Sequence, residues 1–193
     1  FSKQLFRLIN ELNFNKIHLV GFSLGALIAR HFASAHSDKL CSLIIHGSIY
    51  KRNEEQKRVV RNRFEVAKLK RPASKQTAIR RWLSENFIKK NPEIYNKIYS
   101  ILEKNNHKDF LKCYEIFINY IDDDNILAKI KASTLITTGK NDVGSTPEMS
   151  KNLSKMIQGS KFVEIKEGKH LCGIECANDV NIVFKEFIDK NNG

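Results

Sequence analysis

The Gly-Phe-Ser-Leu-Gly segment at residues 21–25 constrains the fold more than any other part of the sequence. The short β-rich run Lys16–Val20 precedes this segment, and an apolar helical pattern begins at Leu24. A serine between two glycines at such a junction predicts a sharp turn from a strand into a helix, because the glycines let two backbones pass closely. The chain is therefore expected to hold a strand, a turn at Ser23 and a helix in direct succession.

Three more apolar runs follow along the chain, and helical patterns separate them. Continuous apolar runs, of which the third here is the shorter and less apolar, are typical of a parallel sheet that is covered on both faces. Thr146–Ile157 and Asp179–Asp189 are predicted helices, and we expect Ile182, Val183 and Phe184 to face inward together with Phe187. The sequence thus predicts an α/β fold with a doubly wound, mostly parallel sheet. The three runs are Leu40–Ile45, Thr134–Thr137 and Lys161–Ile165.

Strand patterns disappear between Ile49 and Asp124, where helical periodicity takes over. Helices are predicted over 59–70, 75–89, 92–104 and 108–121. We therefore expect a core domain made of residues 1–48 and 125–193, with residues 49–124 inserted as a helical cap or lid.

The turn serine is the first candidate for chemistry. A serine hydroxyl is a poor nucleophile near neutral pH, so Ser23 would need a base, and the base would need a partner that orients it. Asp142 and His170 each follow a predicted strand at the edge of the sheet where open α/β folds build their sites. Taken alone, Asp142 is equally compatible with a turn-capping role, and a lone loop histidine such as His170 is more often merely solvated. The chain order of serine, aspartate and histidine favours a catalytic triad, with the backbone N–H of Leu24 as an oxyanion donor.

With these motifs the chain resembles the C-terminal portion of α/β-hydrolases, in the branch that contains 3-oxoadipate enol-lactonases. The resemblance rests on the turn at residues 21–25, on residues 137–147 and on the Gly-Lys-His at 168–170. It implies Ser23 as nucleophile, Asp142 as acid and His170 as base. It also implies that the first strands of the sheet and a second oxyanion donor lie outside this chain.

The resemblance carries an expected activity as well. It implies hydrolysis of an ester, a lactone or a similar carbonyl compound, or of a carbon–carbon bond, through an acyl-enzyme and without a cofactor. The alternative is a non-catalytic relative that binds a small molecule or a protein partner.

Two further groups of residues have a role that the sequence leaves open. His46 follows the second strand, where it could line the substrate pocket or serve packing or a turn. Cys172 and Cys176 lie near His170, but a fourth ligand at a suitable spacing is missing, so we predict no metal site. With only Cys41 and Cys113 in addition, the cysteine content indicates free thiols in a reducing compartment, the cytoplasm.

The formal net charge is +12, and residues 51–90 contribute much of it, with fourteen Lys and Arg against four Glu. This excess could be a solvated face of lysine-rich helices, or it could attract an anionic small-molecule substrate. No nucleic-acid-binding motif accompanies the charge, and no apolar run reaches the roughly 18 residues of a membrane span. We therefore expect a small-molecule substrate and neither a nucleic-acid nor a membrane partner.

Overall fold

A parallel sheet organises the protein in the computed structural model, which describes residues 1–69 and 72–192. Within that part of the chain the strand order is β1-β2-β3-β4, and every neighbouring pair is parallel. Phe22 pairs with His46, His46 with Thr137, and Thr137 with Val163, so the carboxyl ends of the strands lie side by side. The strands are β1 (Ile17–Phe22), β2 (Leu40–His46), β3 (Ser133–Gly139) and β4 (Lys161–Ile165).

Helices connect the strands, as parallel pairing requires, since the chain must cross back to the other end of the sheet after each strand. The helices are α1 (Ser2–Glu11), α2 (Leu24–Ala35), α3 (Glu54–Lys68), α4 (Pro72–Trp82), α5 (Glu85–Lys90), α6 (Pro92–Lys104), α7 (His107–Asn119), α8 (Asp124–Leu127), α9 (Pro147–Met156), α10 (Cys172–Glu175) and α11 (Ala177–Asp189). None of the helices in the described ranges is long and apolar enough to cross a lipid bilayer.

The central strands form the core, as their apolar sequences predict. Ile44 of β2 and Leu135 of β3 are buried against Phe187 of α11, with Val183 and Phe184 packed beside them. Full burial of such a side chain stabilises the fold by about 1.5–3 kcal/mol.

One side chain of α11 departs from the expected packing. Ile182 was expected to face inward, but 57% of its surface is exposed. The buried positions Val180 and Phe187, with Val183 and Phe184 between them, follow the three- and four-residue spacing of one helix face. Ile182 lies outside that spacing, so its side chain is exposed although it is apolar.

The chain divides into two compact units. One contains residues 1–50 and 123–193 and holds the sheet, whereas the other contains residues 51–122 and holds α3 to α7. In the helical unit α3 packs on α7, and α6 packs on α4 and α5. A capping box at Asn53 and Gln56 starts α3, with each side chain bonded to the other residue's backbone N–H.

The helix expected over residues 75–89 is in fact two helices. α4 ends at Trp82, and α5 begins at Glu85 after the N-cap Ser84. The Ser84 hydroxyl accepts a hydrogen bond from the backbone N–H of Phe87 at 3.2 Å. This cap satisfies a first-turn donor of α5 that a continuous helix would have bonded internally, which explains why the helical periodicity was misleading here.

The crossing of β1 and α2 depends on the absence of a side chain at residue 21. A Cβ placed on Gly21 would lie 2.6 Å from the Ala29 Cβ and 2.6 Å from the Gly25 carbonyl oxygen. Nothing lies within 4 Å of the same position on Gly25, which is in α2. A side chain therefore has no room at Gly21, whereas it has room at Gly25.

We predict that Gly21→Ala lowers the free energy of unfolding by about 1–3 kcal/mol, because the backbone of α2 must move away from β1. Gly25→Ala is the matched control and should leave stability unchanged or raise it by up to about 1 kcal/mol, since alanine favours a helix. Urea unfolding of both variants measures the difference. Equal effects of the two substitutions would show that the crossing is not tightly packed.

Candidate active site

Ser23 occupies the turn between β1 and α2. Its backbone has φ 54° and ψ −115°, a conformation that non-glycine residues rarely adopt. The backbone N–H of Ser23 donates to the carbonyl oxygen of His46 at 3.0 Å, which continues the pairing of β1 with β2 into the turn. This bond and the start of α2 hold the strained residue in place, as expected for a side chain that must project from a turn.

Asp142 lies in the loop after β3 and is 4% exposed. Its Oδ1 accepts hydrogen bonds from the backbone N–H groups of Gly144 at 2.8 Å and Ser145 at 2.9 Å. Its Oδ2 lies 2.7 Å from the Nδ1 of His170. The sequence left open whether Asp142 caps a turn or partners a histidine, and the structure gives one carboxylate oxygen to each interaction.

His170 lies in the loop after β4, with 14% of its side chain exposed. Its Nδ1 faces the Asp142 carboxylate, and its Nε2 lies 3.1 Å from the Ser23 hydroxyl oxygen. With the Nδ1–H donating to the carboxylate, Nε2 accepts from the serine hydroxyl. The structure thus brings the three side chains that the sequence singled out into one hydrogen-bonded chain.

The two loops that carry Asp142 and His170 are held together through their backbones. The backbone N–H of Lys140 donates to the carbonyl oxygen of Ile165 at 2.9 Å, and that of Asn141 donates to the carbonyl oxygen of Gly168 at 2.8 Å. A Cβ on Gly139 would lie 2.3 Å from the Gly168 carbonyl oxygen, so only glycine permits this approach. The separation of the carboxylate and the imidazole is therefore fixed by main-chain contacts.

Leu24, the expected oxyanion donor, is the first residue of α2 and directly follows Ser23. The N–H groups of a helix's first turn have no acceptor within the helix, and they carry the positive end of the helix dipole. An oxygen that becomes negative beside Ser23 would meet this end of α2.

His46 is not at an open pocket surface. The ring is 5% exposed, its Nδ1 is 2.7 Å from the Thr137 hydroxyl, and its Nε2 is 3.5 Å from the Cys172 thiol. Phe22 contacts both histidines, with its ring centre 5.4 Å from that of His46 and 5.0 Å from that of His170. Both ring nitrogens have partners within the protein, as in the packing role that the sequence had left open. A contact of His46 with substrate stays a prediction.

The surroundings of His46 keep it uncharged. Burial and, to a lesser extent, the nearby His170 lower the pKa of His46 to about 4, while Asp142 opposes the change. Burial likewise raises the pKa of the Cys172 thiol to about 12. The side chains of His46 and Cys172 are therefore both uncharged at neutral pH.

Sequence reasoning missed Thr137 and Cys172 as the hydrogen-bond partners of His46. Thr137 was treated as part of an apolar strand, and Cys172 was interpreted as a free thiol after a metal-ligand role had been considered. The strand register that sets Thr137 beside His46 is a tertiary property, although the position of Thr137 near the carboxyl end of β3 was a usable signal. Within residues 1–69 and 72–192, no three His, Cys, Asp or Glu side chains cluster as a metal site would require.

The chain is similar to known proteins along most of its length. A family model described as alpha/beta hydrolase fold matches residues 1–175. A curated relative, an (E)-2-((N-methylformamido)methylene)succinate hydrolase of Acinetobacter baylyi, is 23% identical over 185 residues, which are 94% of this chain and 68% of that protein.

Solved structures show the same similarity. The enol-lactonase from Burkholderia xenovorans LB400 has a TM-score of 0.86 at 20% identity, with 97% of this chain and 71% of that chain covered. A thermophilic esterase from Thermogutta terrifontis has a TM-score of 0.85 at 25% identity, with 100% of this chain and 72% of that chain covered.

We predict that His46 makes the fold sensitive to acid. The folded protein keeps His46 neutral down to about pH 4, whereas the unfolded chain protonates it near pH 6.5. The unfolded state therefore binds more protons between these values, so stability falls as the pH falls through this window. The contribution of His46 amounts to about 3 kcal/mol between pH 7 and pH 4.

Urea unfolding at pH 7 and pH 4.5 tests this prediction in the wild type, His46→Asn and the control His31→Asn, whose residue is exposed. His46→Asn should lose less stability on acidification than the wild type, and His31→Asn should follow the wild type. An equally steep loss in His46→Asn would contradict the buried neutral histidine.

Proposed function

The chain belongs to the α/β-hydrolase fold family, and we propose that it is a serine hydrolase that cleaves a small ester or lactone with Ser23 as nucleophile. The observation that carries the proposal is the hydrogen-bonded chain from Asp142 through His170 to Ser23, with distances of 2.7 and 3.1 Å. A serine, an imidazole and a buried carboxylate in this order are what nucleophilic catalysis at a carbonyl requires.

In the proposed mechanism each of the three side chains has a separate role. His170 Nε2 takes the proton of the Ser23 hydroxyl as its oxygen attacks the substrate carbonyl carbon, and the Leu24 N–H stabilises the oxyanion. His170 then gives the proton to the leaving group, and water, activated by the same nitrogen, releases the acyl group from Ser23. Asp142 holds the imidazole tautomer and stabilises its protonated form, while its second oxygen stays bonded to the backbone.

The names of the similar proteins support the substrate class. They include a hydrolase of a succinate derivative, an enol-lactonase and an esterase, whose substrates share an attackable carbonyl or an activated equivalent. An ester or a lactone fits the proposed mechanism without a cofactor. Cleavage of a carbon–carbon bond would take place at the same site, with either Ser23 or an activated water as the nucleophile.

The proposal includes a small-molecule substrate and a cytoplasmic location, which the four free cysteines support. A purely binding role is the alternative. The strained backbone of Ser23 and the oriented imidazole argue against it, because binding alone requires neither.

We predict that Ser23→Ala abolishes covalent labelling by a fluorophosphonate probe and lowers kcat for p-nitrophenyl butyrate by at least about 10³-fold. His170→Ala should cause a similar loss, because the serine hydroxyl then lacks a base. Asp142→Asn should lower kcat by about 10⁴-fold, since the amide favours the wrong tautomer of the imidazole.

Ser34→Ala, a change of the same chemistry near the other end of α2, is the matched control and should keep wild-type labelling and turnover. Labelling and turnover that persist in Ser23→Ala would contradict the proposal. A wild-type protein that is folded but neither labelled nor active would favour the binding role.

A further inference from the structure

The Phe22 side chain lies between two histidine rings at the carboxyl end of β1. Its ring centre is 5.0 Å from that of His170 and 5.4 Å from that of His46, with the ring planes tilted by 39° and 37°. Aromatic rings at these distances are in van der Waals contact. The His170 imidazole is therefore packed against Phe22, while its two nitrogens face Asp142 and Ser23.

The ring behind Phe22 is itself fixed. His46 is 5% exposed, its Nδ1 is bonded to the Thr137 hydroxyl, and its ring meets Phe184 edge-on, with 5.4 Å between the ring centres and 89° between the planes. Because buried rings in such contacts cannot shift without displacing their neighbours, the Phe22 ring cannot move away from His170 toward His46. Phe22 thus forms a rigid wall beside the imidazole.

Gly47 leaves the space that this contact needs. Its φ is 58°, and a Cβ placed on it would lie 3.1 Å from Cε2 of Phe22 and 3.5 Å from Cε1 of His170. The first distance is shorter than an ordinary carbon–carbon contact, so a side chain at residue 47 would press on the Phe22 ring. The backbone after β2 therefore borders both rings and leaves them in contact.

The hydrogen bonds that orient His170 change during the proposed reaction. In the free protein the ring is bonded at Nδ1 to Asp142 and at Nε2 to Ser23, over 2.7 and 3.1 Å. Once Ser23 carries an acyl group, its oxygen has no proton to donate to Nε2. The acyl-enzyme has therefore lost one of the contacts that direct Nε2, and the packing of the ring must supply more of its orientation.

We propose that Phe22 is a positioning residue, whose ring keeps the Nε2 of His170 directed at the attacking water after Ser23 has been acylated. In that step Nε2 removes a proton from water as the water oxygen attacks the acyl carbonyl carbon. Nε2 then protonates the Ser23 oxygen as the bond between that oxygen and the acyl carbon breaks, which releases the acid and restores the hydroxyl. This inference rests on the proposed function and adds to it a residue that orients the base.

Pre-steady-state kinetics with p-nitrophenyl butyrate separate this role from a merely structural one. We expect Phe22→Leu to lower kcat about tenfold and to lower KM with it, so that kcat/KM stays within about threefold of wild type. The reason is that release of the acyl group slows, whereas its transfer to Ser23 does not. A burst of p-nitrophenol should then precede the steady state. Phe22→Met should behave likewise, as a second variant that fills irregular space without a ring.

Two variants serve as controls for the lost ring. Phe22→Tyr retains an aromatic ring and should rescue kcat. Phe14→Leu makes the same substitution at a phenylalanine that is 52% exposed, and it should follow the wild type. Fluorophosphonate labelling of Ser23 in Phe22→Leu should proceed within about threefold of the wild-type rate, since labelling reports only the first half of the reaction.

NMR tests the orientation of the imidazole without turnover. Ser23→Ala removes the same hydroxyl donor that acylation removes. The Nδ1–H bonded to the Asp142 carboxylate gives a far-downfield proton resonance, which is identified by its absence from His170→Gln. This resonance should broaden through faster exchange with water when Phe22→Leu is combined with Ser23→Ala, but not when Phe14→Leu is. A wild type that is neither labelled nor active would end the proposed function, and this comparison would still decide whether Phe22 orients His170.

Three results would overturn the inference. The first is an equal loss of kcat and of kcat/KM in Phe22→Leu, and the second is wild-type kcat in both Phe22→Leu and Phe22→Met. The third is an unchanged His170 resonance when Phe22→Leu is combined with Ser23→Ala. Each would show that the Phe22 ring does not hold the base for the second half of the reaction.

Discussion

The parallel pairing of the four strands is the constraint on which the rest of the structure depends. It brings the carboxyl ends of β1, β3 and β4 to one edge of the sheet, and each of these ends is followed by one member of the hydrogen-bonded chain. Side chains up to 147 residues apart in sequence thereby come within hydrogen-bonding distance. The backbone contacts between the Asp142 and His170 loops then fix the separation of these two side chains.

The sequence predicted those parts of the arrangement for which a short local pattern is compatible with only one structure. Ser23 between a strand and a helix, and Asp142 and His170 after strands, could be identified because each signal was confined to a few residues. The resemblance to α/β-hydrolases is confirmed by the family match over residues 1–175. The parallel sheet likewise followed from nearly continuous apolar runs.

Other features depended on contacts that no local pattern records. The burial of His46 beside Thr137 follows from strand register, which the sequence does not encode in a readable way. Ile182 is as apolar as its neighbours, and only its position on α11 leaves it exposed. In the helical unit, Ser84 ends one helix and starts the next through a single capping bond, against the surrounding periodicity.

The proposed mechanism requires that Ser23 becomes acylated during turnover. This can be measured by mass spectrometry of peptides from the full chain, quenched in acid during hydrolysis of p-nitrophenyl acetate. We expect an acetyl group on the peptide that contains residues 21–25, with Ser23 as the modified residue and no such species in His170→Ala. Turnover without acylation of Ser23, or acylation of another residue that turns over as fast as the reaction, would contradict it.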